Sequence, residues 1–418
     1  MKGARHDRAG TAEGCDGRAP GLRGRLQRAR PRGNPSRLCG RSGRRAAAAA
    51  VQPGRRSGLD LPYGGRQPRR SCCDPGATLR GTDGRHRRPG RLVGLEAARA
   101  PVVSVRELGT LGGAVSQAKA VNRRGQVVGT SRDGLGRTRA FLWQEDLGIV
   151  DLKPLTGVNT SANDINENGE ITGGGDTGFG DFHAYLLSEG TSFDLGTLGG
   201  NESEALAVNR RGQVVGHSRV GGAVAKHAFA IPEPGRMVDL GSLGGAGTTS
   251  IAHDVNDAGA AVGLTETRTG QPHAFLWTAG DGMQDLGTLG AAPSIALGVN
   301  NRAEVVGGSG HAFLWTEQAG MVDLGTLGGR TSCANDINDL GCIVGVSQTD
   351  GTDARGLPVT RAFLRTPDGS MVDLGTLGGE HSSAAAVSED DDGVVQIAGH
   401  SHDDAGAVRA VVWTVRLT

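Results

Sequence analysis

Three aspartates carry the sequence's best case for ligand chemistry. Asp164-Ile-Asn166, Asp254-Val-Asn256 and Asp336-Ile-Asn338 place side-chain oxygens at alternate positions ahead of a glycine, as a hard cation such as calcium requires. A helix–loop–helix calcium loop also needs a ligand at its fifth position and a glutamate at its twelfth. Here Asn168, Ala258 or Leu340 stands at the fifth. Turn formation accounts for the Asn and Gly without a metal, so no resident cofactor is expected. Asp164, Asp254 and Asp336 remain as candidate binding residues.

The second set is a series of basic–acidic pairs. Arg139–Asp151, His227–Asp239, His273–Asp285, His311–Asp323 and Arg361–Asp373 are each 12 residues apart, and His183–Asp194 is 11 apart. Arg409 has its counterpart far upstream, in Glu107. Across a short hairpin this spacing puts both side chains on one face, opposite or diagonal. Read as chemistry, the pairs are a ring of acid–base couples. Read as structure, they are charge-assisted hydrogen bonds that fix neighbouring strands. A catalytic site is rarely replicated in every copy of a repeat, so the structural reading is preferred and no catalytic residue is assigned.

Other motifs are weaker. Cys333 and Cys342 flank one hairpin and fit either a cross-strand disulfide in an exported protein or small-residue packing. His400, His402, Asp403 and Asp404 cluster without a second converging group, so no metal is assigned there. Gly173-Gly-Gly175 is followed by another loop, where a phosphate-binding loop would lead into a helix. Gly307-Gly-Ser-Gly310 lacks the spacing of a nucleophile elbow.

The elements that must position these residues are read from a repeat. An acidic-Leu-Gly-x-Leu-Gly-Gly phrase begins at Glu107, Asp194, Asp239, Asp285, Asp323 and Asp373, with a degraded copy at Asp151. Successive starts lie 44, 43, 45, 46, 38 and 50 residues apart, a period typical of propellers and solenoids. Each unit continues with a hydroxyl residue (Ser116, Thr160, Ser203, Ser250, Ser294, Ser332, Ser382), then Ala-x-x-Val-Asn or a close variant. The Asn-x-x-Gly spacing, as in Asn122 to Gly125, predicts a type I turn closed by a glycine in the left-handed region. Ala303 replaces that glycine in the fifth unit and the seventh unit lengthens the turn, so both turns are expected to be distorted. A Val-Val-Gly strand follows. Its seven glycines suggest crowding between neighbouring sheets. A basic-Ala-aromatic strand comes next, cleanest in His273-Ala-Phe-Leu-Trp277 and His311-Ala-Phe-Leu-Trp315.

Four short strands per unit without a helical period predict an all-β, seven-bladed propeller over residues 101–418. Its last blade would be completed by the strand Val102–Glu107, which removes an open edge. The low aromatic content of 3% and the 72 glycines agree with turn-rich β structure.

The His-Ala-Phe strand, the Asp-Leu-Gly-x-Leu-Gly-Gly phrase and the Val-Asn-x-x-Gly-x-Val-Val-Gly hairpin occur together and in order. In this the chain resembles the bacterial HAF-type "probable extracellular repeat" proteins over roughly residues 102–418. The resemblance implies an exported, extracellular or periplasmic repeat domain and no particular activity. No signal peptide is visible in the sequence.

The net charge of +1 conceals a division. Residues 1–100 hold 24 Lys+Arg against 7 Asp+Glu, and the remainder holds 21 against 37. Within the first hundred residues 63 are Arg, Gly, Ala or Pro and 12 are large apolar or aromatic, too few to offset the ordering entropy. That segment is expected to be disordered, or to come from a start placed too early. Its clusters Arg41–Arg45 and Arg85–Arg91 would grip phosphates, but Tyr63 is its single aromatic, so nucleic acid is not the expected partner. No apolar run is long enough to span a membrane.

The leading expectation is a non-catalytic, monomeric binding or scaffold module that captures a glycan or protein through loops between the second and third strands of its units. Those loops include Arg132–Thr138, Asp176–Asp181 and Asp350–Thr360. The alternative is a hydrolase or lyase with its site at the axial channel, where Asp164, Asp254 and Asp336 contrast with Ala120, Ala207, Gly298 and Ala386 in the other units.

Overall fold

Each Asn-x-x-Gly phrase folds as a hairpin whose two arms are the first and second strands of its unit. In the first unit the Gly125 N–H donates to Asn122 O at 2.9 Å and Asn122 N–H to Gln126 O at 3.1 Å, with Gly125 at φ 72°. A computed structural model describes residues 101–222, 225–233, 235–389 and 392–417, all within the compact unit Arg91–Thr418. The basic segment discussed above lies outside the described residues. Among the described residues the regular elements are all strands, and no helix is long and apolar enough to cross a membrane.

The first unit is the antiparallel series Gly112–Val121, Val127–Asp133, Thr138–Gln144 and Gly148–Asp151, which we call its inner, second, third and outer strands. Five sheets have four strands each. One eight-stranded sheet joins the second and third units through a single parallel bridge between Phe182 and Glu202. The last unit takes three strands from Gly378–Val387, Val394–Asp403 and Val408–Arg416. Its fourth is Val102–Glu107, paired antiparallel to the C-terminal strand from Val102↔Arg416 to Glu107↔Val411.

The core lies between successive sheets. Ala140, Ala184, Ala228, Ala274, Ala312, Ala362 and Ala410 of the third strands are fully buried, as are Phe141, Tyr185, Phe229, Phe275, Phe313 and Phe363 beside them. The alanine keeps neighbouring sheets close, and the aromatic ring fills the layer. Residues of the last unit (Ala398, Ala410, Val412) and of the first (Ala118, Val127, Phe141) share one such cluster.

Two expectations are corrected, and one alternative left open is decided. The Val-Val-Gly glycines are crowded within their own sheets, where repetition suggested crowding between sheets. A Cβ on Gly129, Gly216 or Gly345 would run into the main-chain oxygen of Gln117, Glu204 or Cys333 on the adjacent inner strand. The fifth turn is also not distorted. Ala303 takes the glycine's left-handed conformation at φ 57° and keeps the turn bond to Asn300 O at 3.0 Å. Finally, Cys333 and Cys342 are not joined by a disulfide. Cys342 is in the core between the sixth and seventh units, and Cys333 faces Gly308 of the fifth.

Candidate functional site

Every inner strand carries a β-bulge at the same place in its unit. The register skips a residue between Ala118 and Ala120, and likewise between Ala162 and Asp164, Ala252 and Asp254, and Ala334 and Asp336. The skipped residues are Lys119, Asn163, Leu206, His253, Leu297, Asn335 and Ala385. A bulge re-aims the side chains around it. Here it turns all seven residues, with Asp164, Asp254 and Asp336 beside them, onto one shared cavity of about 170 Å³.

The structure thus brings Asp164, Asp254 and Asp336 together, in the second, fourth and sixth units. Each carboxylate spans two units. Asp164 Oδ1 accepts the N–H of Ile165 at 2.8 Å, and its Oδ2 accepts that of Val208 in the next unit at 2.8 Å. Asp254 does the same with Val255 and Val299, and Asp336 with Ile337 and Val387. The intervening units hold Ala120, Ala207, Gly298 and Ala386. A Cβ on Gly298 would come within 2.9 Å of Asp336 Cα.

Burial dominates the electrostatics of the three. Asp164 is pushed up to about 6 by desolvation, against the pull of its two N–H donors. Desolvation raises Asp254 to about 7, with repulsion from Asp164 adding to it. Asp336 is raised to about 8 by desolvation and then by repulsion from Asp254. At neutral pH Asp336 therefore keeps its proton for the most part, Asp254 stands near half-protonation and Asp164 is mostly ionised.

On the other side of these aspartates a second cavity, also about 170 Å³, is ringed by the hairpin asparagines. Asn122 Nδ2 donates to Asn166 O at 3.1 Å and Asn166 Nδ2 to Asn209 O at 2.8 Å. The series continues through Asn256, Asn300 and Asn338 to Ser388 O. Residues following these asparagines reinforce it. The Glu167 carboxylate accepts Arg123 N–H, Asp257 accepts Arg210 N–H and Asp339 accepts Asn301 N–H.

Around the first cavity the bulge residues differ from unit to unit. Lys119 Nζ donates to Asn163 Oδ1 at 2.6 Å, and Asn163 Nδ2 donates to Glu204 at 2.9 Å and to Ala205 O at 2.8 Å. Burial lowers the Lys119 pKa, and Glu204 opposes that shift. Asn335 Nδ2 donates to Ala384 O at 2.6 Å. His253 lines the cavity, and its Nε2 is buried without a hydrogen-bond partner. Desolvation, then His217, depresses His253 to about 4, so the ring is neutral. Sequence reasoning passed over these residues. The available signal was variation at one position of an otherwise repetitive phrase, Ala-x-Ala, Ala-x-Asp or Ala-x-Gly.

The basic–acidic pairs lie away from this centre. Nδ1 of His183, His227, His273 and His311 lies 2.9 Å from a carboxylate oxygen of Asp194, Asp239, Asp285 and Asp323 respectively. The contact is diagonal, since Phe313 and not His311 stands opposite Asp323. The same aspartates also cap a turn. Gly196, Gly241, Gly287 and Gly325 donate their N–H groups to them at 2.8 Å. Arg409 reaches Glu107 at 3.6 Å and Asp403 at 3.1 Å. The hydroxyl position also bridges units: Ser332 Oγ accepts Ala312 N–H at 2.8 Å and donates to Gly325 O at 2.5 Å.

At the rim, Asp353, Glu380 and His381 bring potential metal-ligating atoms within 4.8 Å of one another. Asp353 is already held by the Arg355 guanidinium at 2.9 and 3.1 Å. His381 Nδ1 accepts the Thr360 N–H, which leaves the proton on Nε2, facing Asp353 at 3.7 Å. The trio is therefore a charge-paired knot with poor ligand character. The loops between second and third strands expose Phe179 at 97% and Leu135 at 78%. A cleft of about 840 Å³ separates the first unit from the strand Val102–Glu107, where Arg106 stacks on Trp143 at 5.2 Å and pairs with Glu145 at 2.8 Å.

No family model matches the chain, and no curated protein matches it. Among solved structures it is similar to a putative TolB from Agrobacterium tumefaciens, at 11% identity and TM-score 0.41, over 76% of this chain and 99% of that one. It is also similar to a gluconolactonase from Xanthomonas campestris, at 12% identity and TM-score 0.36, over 78% of this chain and 99% of that one. A third likeness is TolB from Acinetobacter baumannii, at 9% identity and TM-score 0.34, over 74% of this chain and 66% of that one.

Proposed function

We propose that the seven four-stranded sets are blades of a closed propeller of the HAF-repeat kind, serving as a non-catalytic extracellular or periplasmic binding module. Closure is supported by the pairing of Val102–Glu107 with the C-terminal strand and by the core shared between last and first units. One contrast carries the functional reading. The aspartates of the shared cavity use both oxygens to hold adjacent units together, whereas Phe179 and Leu135 project from neighbouring loops with no packing role. Asp133, Asp176 and Asn159 stand beside those tips. Asn159 Nδ2 donates to Asp176 at 2.9 Å. Apolar tips set among amides and carboxylates suit the face of a sugar ring, so the partner is a glycan.

Glycan-array binding by the full chain tests this, with the double variant Phe179→Ser/Leu135→Ser as comparison. Capture by the parent and its loss in the double variant, whose thermal midpoint should be unchanged, is the expected result. Equal capture by both proteins would remove the loops from the reading. Binding to immobilised proteins alone would replace glycan by protein.

A further inference from the structure

In a chain whose structural positions recur unit after unit, the bulge position departs from repetition. It reads Lys119, Asn163, Leu206, His253, Leu297, Asn335 and Ala385 around one cavity. The backbone requires only a bulge there, and alanine satisfies it in the seventh unit. The lysine of the first unit is therefore unexplained by the fold.

The described residues include three lysines, and their surroundings differ. Lys153 is exposed, and the partly buried Lys226 pairs with the Glu202 carboxylate. Lys119 has neither arrangement. It lines the cavity, and its Nζ makes one hydrogen bond, donated to the neutral amide oxygen Asn163 Oδ1 at 2.6 Å. Two of its N–H groups are left uncommitted. Glu204 is reached only through Asn163, whose Nδ2 donates to that carboxylate at 2.9 Å.

An amine in this setting is suited to attack a carbonyl carbon. Burial disfavours its charged form, and the neutral form carries the nucleophilic lone pair. Losing a proton breaks no salt bridge here, since the neutral amine still donates to Asn163. Leu206 and Leu297 give the cavity apolar wall against which a short carbon body can lie. Glu204 favours a product that keeps a positive charge. An iminium keeps it and an amide does not, so the reactant is an aldehyde in preference to an acyl donor.

We propose that Lys119 is a site of reversible covalent capture, where its amine condenses with a small aldehyde admitted to this cavity. The Nζ lone pair forms a bond to the carbonyl carbon, and one N–H proton passes to the oxygen. The C–O bond then breaks, and the oxygen leaves as water with the proton that the ammonium shed beforehand. Ammonium and aldehyde thus give iminium and one water, with the charge of the site unchanged. The inference is independent of the loops around Phe179.

Reductive trapping on the full chain at neutral pH tests it, with propanal as the probe, cyanoborohydride as the hydride donor and peptide mass mapping as the readout. The expected result is N-propylation of Lys119 at least tenfold faster than of Lys153 or Lys226. That preference should vanish when the chain is unfolded in urea. Pyrene carboxaldehyde, a bulky probe, should reverse the order in favour of Lys153. Without hydride donor, dialysis should return the unlabelled chain. Labelling of Lys119 no faster than Lys153, a preference that persists in urea, equal access for the pyrene aldehyde, or a label that survives dialysis without reduction would each overturn the proposal.

Discussion

Asp336 Oδ2 accepts the N–H of Val387 at 2.8 Å although the two residues belong to different sheets and lie 51 positions apart. The same carboxylate holds Ile337 N–H with its other oxygen at 2.7 Å. Asp336→Ala strands two N–H groups and should cost about 1–3 kcal/mol per unsatisfied group. Urea denaturation reads this directly. A variant as stable as the parent would mean that the contact does not hold the sheets together.

The pH dependence of stability follows from opposing shifts. Asp164, Asp254 and Asp336 are raised to about 6, 7 and 8, so the folded state binds protons more readily than the unfolded chain. Their contribution is complete below the ordinary carboxyl range and is lost as pH climbs through those values. His253, depressed to about 4, contributes above its ordinary 6.5 and loses that contribution as pH falls toward 4. The thermal midpoint should therefore decline from about pH 4 to pH 8, with His253 offsetting part of the fall below 6.5, and level off above. The triple Asp164/Asp254/Asp336→Asn variant should flatten that limb. A limb of equal slope in the variant would assign it to other groups.

Ala303 occupies a left-handed conformation that its counterparts Gly125, Gly169, Gly212, Gly259 and Gly341 adopt without steric cost. Ala303→Gly should stabilise the fold by about 1 kcal/mol, because relief of the Cβ clash exceeds the added freedom of the unfolded chain. A lowered urea midpoint would contradict this.

Gly345 presents the opposite case. An added Cβ would meet the Cys333 main-chain oxygen and lie 2.9 Å from both Ala334 Cα and Phe363 Cε1. Backbone cannot withdraw as a side-chain tip can, so Gly345→Ala should cost roughly 1–3 kcal/mol or more. A neutral outcome by urea denaturation would show that the bulge opposite is pliable.

Ser332 and His311 separate buried from surface polarity. Ser332→Ala removes a bridge between sheets and leaves Ala312 N–H unsatisfied in a dry layer, at about 1–3 kcal/mol. His311→Ala removes one member of an exposed pair and should cost no more than about 1 kcal/mol. Reversal of this order would make the His–Asp pairs the main fastening.

What the sequence disclosed was local. The hairpin asparagines, their glycines and the diagonal His–Asp contacts are set within a dozen residues, where turn chemistry and strand alternation govern. Contacts made one unit away were illegible, because Asp164 finds Val208 only after the sheets are stacked. The bulges were hidden as well. Ala120 and Val121 are both buried, a break in alternation that looks in sequence like two more small apolar residues. The crowding at Gly345 was misplaced for the same reason, since the oxygen that excludes a side chain belongs to a bulged strand not yet recognised.

The asparagine ladder runs from Asn122 to Ser388, and the junction of last and first units is held instead by their shared core, by the Ala410 N–H on Ser116 Oγ and by the six-residue strand Val102–Glu107 on the last sheet. That strand is continuous with the chain ahead of Pro101. Tension applied from the N-terminal direction is therefore delivered to the one junction secured by an added ribbon. Pulled from that side, the strand must give up its ladder from Val102↔Arg416 to Glu107↔Val411 before the load reaches the first unit's own sheet.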